Sequence, residues 1–222
     1  MKKIIIALAI LLPIHVSAKE NSHGVHKDVS DKVIAKQRAN LEANTKNKGF
    51  GPQSPRDIDA ITGSNSRLFN TAPPSSKMNL CNIHFHKNAE HKGGQFTKYA
   101  GNGDGHGYQS GYKYSGKLNA SELKSAGHEI CPSTHGALSV GDTIEVHYVH
   151  STAQINPGPT LGSCLSDAIK NPQLRVETQV YVLVNDNNAL NFANLTKHGK
   201  MKGLHQAINI PSNTGTPIQY AG

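Results

Sequence analysis

The sequence predicts a mainly β fold of the α+β class, with one N-terminal helix and long glycine-rich loops. Short runs of β-branched and aromatic residues, with alternating apolar and polar positions, recur along the chain after residue 49. Clusters of Gly, Pro, Ser and Asn separate those runs. A helical pattern lies in the polar segment that precedes them. These observations favour one domain over residues 49–222, joined to a polar N-terminal segment over residues 19–48.

Residues 1–18 have the pattern of a secretory signal peptide. Lys2 and Lys3 precede an apolar run from Ile4 to Leu12, and the segment ends in small residues at Ser17-Ala18. The run is shorter than the roughly 20 residues that span a bilayer. The sequence therefore predicts an exported protein, periplasmic or secreted, without a membrane anchor.

The charge balance is basic but does not indicate a nucleic-acid partner. The chain has 23 Lys and Arg against 15 Asp and Glu, a net charge of +8, which becomes +6 without Lys2 and Lys3. The lysines are dispersed, Trp is absent, and no basic run is interleaved with aromatic residues. We interpret the positive charge as a solvated surface.

The helix is predicted from Ser30, which can cap its N-terminus, to about Lys46. One face of that helix carries Val33, Ile34, Gln37 and Leu41. The strands are predicted at about Leu80 to Lys87, Thr143 to His150 and Leu174 to Val184, with a short strand around Tyr112 to Tyr114.

The glycine-rich stretch from Gly93 to Gly116 contains "GNGDGHG". A single Asp without the ligand pattern of an EF-hand makes a poor calcium site. The motif therefore indicates a turn.

Three cysteines in an exported chain indicate one disulfide and one remaining thiol. Cys131 and Cys164 both lie in loop-like sequence, so we expect them to pair and Cys81 to remain. The odd count also allows a partner cysteine outside this chain.

Side chains of a strand alternate between its two faces. In the first strand this separates Cys81, Ile83 and Phe85 from Asn82, His84 and His86. In the second it separates Ile144, Val146 and Tyr148 from Glu145, His147 and Val149. Each strand thus has an apolar face suited to a core and a polar face that needs another explanation.

If the two strands are neighbours, His84, His86 and His147 converge. Three neutral imidazoles with an open fourth position are typical of catalytic zinc. Asn82 and Glu145, each two residues before a proposed ligand, can accept the other ring N–H. Imidazole ligands also accept other divalent metals. The alternative is a solvated strand face that carries His84 and His86, with His147 unrelated.

The two segments "NIHFHKNAEH" and "EVHYVH" resemble the carbonic anhydrases. The alpha class has a Gln-x-His-x-His strand, a Glu-His pair and a Glu-x-His-x-Val-His strand, and "QSPRDID" (Gln53 to Asp59) is similar to its early Gln-Ser-Pro-x-Asp-Ile segment. The compact "NIHFHKNAEHKGGQF" and the later "SGYKYSG" most resemble the delta class. The resemblance implies a central twisted, largely antiparallel sheet, as in alpha-type enzymes.

The resemblance also implies the reaction: reversible hydration of carbon dioxide to bicarbonate and a proton by a zinc-bound hydroxide. Val149 would form an apolar wall for this small-molecule substrate, and Glu90 would be the catalytic glutamate, which accepts a hydrogen bond from a threonine. Candidate proton shuttles are His91, His106 and His150. The oligomeric state is not predicted.

One element of the family pattern has no clear counterpart. Thr214 and Thr216 are the available threonines near the end, whereas the delta class leads us to expect Gly-Ser-Thr-Thr after Tyr-x-Gly. The chain ends at Tyr220-Ala221-Gly222, so we expect a further C-terminal segment in the complete domain.

Two other functions compete with this interpretation. In a cupin, His84, His86 and Glu90 would all bind the metal, although Met78 and Thr97 replace the glycines of that motif. The second alternative is a non-catalytic zinc-binding relative.

Overall fold

A computed structural model describes residues 3–5, 28–45 and 71–217. The strands of its main sheet are β1 (Lys3–Ile5), β2 (Asn79–Lys87), β5 (Thr143–Ser151), β6 (Leu174–Leu183) and β7 (Leu190–Asn191). They lie in the order β2-β5-β6-β1-β7 across the sheet. Two separate hairpins are formed by β3 (Lys98–Gly101) with β4 (Gly111–Lys113), and by β8 (His198–Met201) with β9 (Leu204–Ala207).

The helices are α1 (Asp31–Thr45) and α2 (Phe192–Leu195), with 3-10 turns at Ser75–Lys77 and Leu161–Cys164. The prediction of a mainly β protein with a largely antiparallel sheet is confirmed. Over the ranges described, no helix is long and apolar enough to cross a membrane.

The long strands lie where the sequence predicts them, within one or two residues at each end. β5 pairs with both β2 and β6 in antiparallel fashion and is buried along its whole length. Its apolar face carries Ile144, Val146 and Tyr148, which pack with Leu80 and Tyr181 in the main core. The burial of this face fixes the register, because a slip of one residue would turn the apolar side chains outward.

Two N-terminal predictions remain predictions. β1 lies inside the segment interpreted as a signal peptide and pairs in parallel with β6 and β7; cleavage after residue 18 would remove it. The "QSPRDID" segment lies outside the described residues.

Helix α1 lies against the glycine-rich loop. Asn102 donates through Nδ2 to the Val29 carbonyl, and Gln37 donates to the Gly105 carbonyl. Asp104 accepts hydrogen bonds from the backbone N–H groups of His106 and Tyr108, as expected for the predicted turn.

The expected disulfide is wrong. Cys81 pairs with Cys164, and Cys131 is the exposed free thiol. The error has a physical cause in β2, where the register shifts between Leu80 and Asn82. This β-bulge makes Cys81 an extra residue, so Cys81 does not share the core face of Ile83 and Phe85. It packs instead with Val149 and Cys164.

Candidate metal centre

The register between β2 and β5 brings the polar faces of the two strands together. His84 lies opposite His147, and Asn82 and His86 lie opposite Val149 and Glu145. Directly opposed residues in an antiparallel pair project to the same face. Three histidines from two strands therefore share one patch of the sheet.

The three imidazoles form a compact cluster. The ring centroids of His84, His86 and His147 are 4.8–5.1 Å apart, and one ligand nitrogen of each lies within 4.8 Å of the others. His147 is 9% exposed, and His84 and His86 are half-buried. This donor set fits a divalent metal of the zinc type and leaves room for further ligands.

The amide of Asn82 fixes one ring. Its Oδ1 lies 2.6 Å from Nδ1 of His84, and its Nδ2 donates to the Gly158 carbonyl at 2.9 Å. Since the amide nitrogen is already used, the oxygen faces the imidazole and accepts its Nδ1–H. That tautomer leaves Nε2 of His84 as the available ligand atom.

Glu145 fixes the ring of His147 from the other side. Its Oε1 lies 2.8 Å from Nε2 of His147, so Nδ1 is the nitrogen that is left for a metal. The second oxygen, Oε2, accepts a hydrogen bond from the Glu90 backbone N–H at 2.6 Å. Glu145 is 3% exposed, and one buried carboxylate thus links β5 to the turn that follows β2.

Glu90 and His91 lie beside this carboxylate. Ligand atoms of Glu90, His91 and Glu145 all lie within 4.8 Å of one another, and Oε1 of Glu90 is 3.6 Å from Nε2 of His86. The Glu90 side chain is 43% exposed, so its carboxylate lies at the solvent-facing edge of the histidine cluster.

The histidines differ in their affinity for protons. Burial, with the neighbouring His147 and His86, lowers the pKa of His84 to about 4. Burial also disfavours the charged form of His147, but the hydrogen bond and charge of Glu145, and the charge of Glu90, raise its pKa above the ordinary value. The metal-free site therefore keeps His84 neutral and holds a proton more readily on His147 than on His84.

We expect acidification of the metal-free protein to protonate His147 before His84. A metal must displace that proton, so zinc affinity should begin to fall once the pH drops below the raised pKa of His147. Heteronuclear NMR of the two rings, together with zinc competition at each pH, measures both effects. Protonation of His84 at a higher pH than His147 would contradict this order.

Val149 lies on the same face, two residues after His147, but it is 2% exposed and packs against Cys81 and Cys164; this burial argues against an apolar wall that contacts the substrate. Sequence reasoning missed its neighbours on β6: Val176 is opposite Val149, and Thr178 is opposite His147. Val176 is 49% exposed, so it offers an accessible apolar side chain beside the histidines. Alternation within the predicted third strand marks this face, but the register with β5 cannot be read from the sequence.

The remaining predicted residues lie at different depths. His106 is exposed in the glycine-rich loop. His150 is 1% exposed, and its Nδ1 lies 3.1 Å from the Tyr148 carbonyl oxygen; this burial argues against a shuttle that exchanges protons with water. Thr214 and Thr216 are exposed near the end of the described residues.

Comparison with known proteins adds one match. A family model described as Delta carbonic anhydrase matches residues 75–222. That range includes both strands of the histidine cluster and every side chain discussed above as part of it. Searches of the curated proteins and of the solved structures gave no match.

Proposed function

Because the chain belongs to the delta carbonic anhydrase family, we propose that it hydrates carbon dioxide reversibly with a zinc ion bound by His84, His86 and His147. The observation that carries this proposal is the convergence of three imidazoles on one face of β2 and β5. The reaction joins carbon dioxide and water into bicarbonate and releases one proton.

The bound zinc would supply Lewis-acid activation of water near neutral pH. The residues of the chain set the conditions for it. Three neutral imidazoles leave the charge of the metal uncompensated by ligands. Asn82 and Glu145 accept the N–H groups of His84 and His147, which holds both rings in a fixed tautomer and makes them more basic ligands.

The exposed apolar side chain of Val176 suits an uncharged substrate. Carbon dioxide has no charge or hydrogen-bond donor, so an apolar wall beside the metal accepts it without a cost of unpaired polar groups. Bicarbonate is charged, and the same wall offers it no hydrogen bonds, which favours release of the product.

Glu90 would accept a hydrogen bond from a threonine that in turn orients the reacting water, and a histidine would carry the released proton to solvent. Among the three candidates, His91 lies beside the site and His106 is exposed. An imidazole with its ordinary pKa can exchange protons near neutral pH.

We expect the Glu90→Ala variant to retain zinc and to lose about 100-fold in hydration rate, the lower end of the usual contribution of a positioned acid–base group. Zinc content per chain and stopped-flow hydration measure the two effects. Glu129→Ala, which alters an exposed glutamate, serves as the matched control. Loss of zinc from Glu90→Ala would instead favour the cupin alternative, in which this carboxylate is a ligand.

A further inference from the structure

The loop that follows β5 folds back onto β2 directly beside the histidine cluster. It ends in the 3-10 turn Leu161–Cys164, whose last residue forms the disulfide with Cys81. Cys81 and Cys164 are 0% and 1% exposed. Ser151, at the end of β5, donates to the Cys164 carbonyl at 2.7 Å. Both ends of this loop are thereby anchored in the protein interior.

Gly158, in the middle of the loop, holds two consecutive residues of β2. Its N–H donates to the Cys81 carbonyl at 3.0 Å, and its carbonyl accepts from Nδ2 of Asn82 at 2.9 Å. Cys81 is the extra residue of the β-bulge, which the ladder with β5 leaves unpaired. The loop therefore supplies contacts that the sheet cannot supply at this position.

The contact to Asn82 determines which end of the amide faces His84. With Nδ2 directed to the Gly158 carbonyl, Oδ1 faces Nδ1 of His84 at 2.6 Å. If the loop moved away, the amide could rotate, and the imidazole would lose the acceptor that selects its tautomer. Gly158 lies six residues before Cys164, whose disulfide ties this end of the loop to β2.

We propose that the Cys81–Cys164 disulfide and Gly158 form a positioning device for His84, acting through Asn82. The disulfide then increases the affinity of the site for its metal, in addition to any effect on the stability of the fold. This inference rests on the proposed metal site. It assigns a role to the loop that neither the histidine motifs nor the family match assigns.

A double-mutant cycle on the full chain tests the inference. Its members are the unaltered protein, Cys81→Ala/Cys164→Ala, Asn82→Ala, and the combination of all three substitutions. Zinc dissociation constants are measured by chelator competition, and the His84 tautomer is measured by NMR of the metal-free protein. Cys131→Ser, which alters the exposed thiol, is the control.

Loss of the disulfide should raise the zinc dissociation constant about 10- to 100-fold, as loss of a supporting contact to a metal ligand usually does. It should also mix the tautomers of His84. In the Asn82→Ala background, loss of the disulfide should raise the zinc dissociation constant by less than about a further 3-fold, because the side chain that connects the loop to His84 is already absent. Additive effects, or an unchanged tautomer without the disulfide, would overturn the inference.

A second pair of variants tests the same inference if the cysteine variants do not fold. A Cβ at Gly158 would collide with the Ser163 side chain, so Gly158→Ala should displace the loop while the disulfide remains. Gly158→Ala/Ser163→Gly removes that collision and should restore zinc affinity; failure of this rescue would count against the inference. The His84 tautomer is measured without metal and tests the positioning role alone. Zinc binding by the unaltered chain tests the proposed function, so failure of one proposal can be told from failure of the other.

Discussion

We expect the His86→Ala variant to lose both its zinc and its carbon dioxide hydration. Sites with four protein ligands bind zinc with about 10–16 kcal/mol, or roughly 3 kcal/mol per ligand, so removal of one imidazole weakens binding by more than about 100-fold. The His86 side chain is 37% exposed, and its loss leaves no buried cavity. The fold should therefore survive, and the defect should be one of metal binding.

Zinc content after dialysis, stopped-flow hydration and the thermal unfolding midpoint together measure this effect. His198→Ala is the matched control, because it removes an exposed histidine of β8. That variant should keep one zinc per chain and full activity. Stoichiometric zinc in His86→Ala would show that the metal is bound elsewhere and would contradict the proposed site.

The Glu145→Ala variant should be damaged in both metal affinity and stability. Glu145 accepts hydrogen bonds from Nε2 of His147 and from the Glu90 backbone, and it is 3% exposed. Each buried donor left without a partner costs about 1–3 kcal/mol. The freed ring of His147 should weaken zinc binding about 10- to 100-fold.

Glu177→Ala provides the control for this variant. Glu177 lies opposite Tyr148 on the neighbouring strand, on the face away from the histidines, where it pairs with Arg175. Chemical denaturation and chelator competition should show a small loss of stability and an unchanged zinc affinity for Glu177→Ala. Equal zinc affinity in the two variants would contradict the role of Glu145 as the partner of His147.

The central part of the candidate site could be predicted because it depends on local rules. Alternation groups Asn82, His84 and His86 on one face of β2, and it groups Glu145 and His147 on one face of β5, whatever the rest of the fold does. Once the two strands pair, burial of the apolar face of β5 excludes a slip of one residue and directs both polar faces to the same side.

The contacts that could not be predicted depend on tertiary structure. The bulge in β2 moves Cys81 out of the alternation, and no residue type in that stretch signals it. The contacts of Cys81 with Cys164 and with the Gly158 N–H both occur at that bulge. Likewise, Val176 and Thr178 join the site face through pairing between β5 and β6, which alternation in one strand does not specify.

The shorter strands were missed for a different reason. β7, β8 and β9 have two to four residues each, too few for an alternating pattern to stand out from loop sequence. β9 is positioned by contacts from elsewhere: Gln206 donates to the Met78 carbonyl, and the His205 N–H donates to Oδ1 of Asn79. Such strands are defined by what they pack against.

Stopped-flow hydration of carbon dioxide by the zinc-quantified chain is the decisive test of whether the three histidines hold a catalytic zinc. We expect a hydration rate that is proportional to zinc content, is removed by a chelator and is restored by added zinc. The rate should be absent from His86→Ala. A chain that holds one zinc at His84, His86 and His147 yet hydrates carbon dioxide no faster than buffer would contradict the proposed activity.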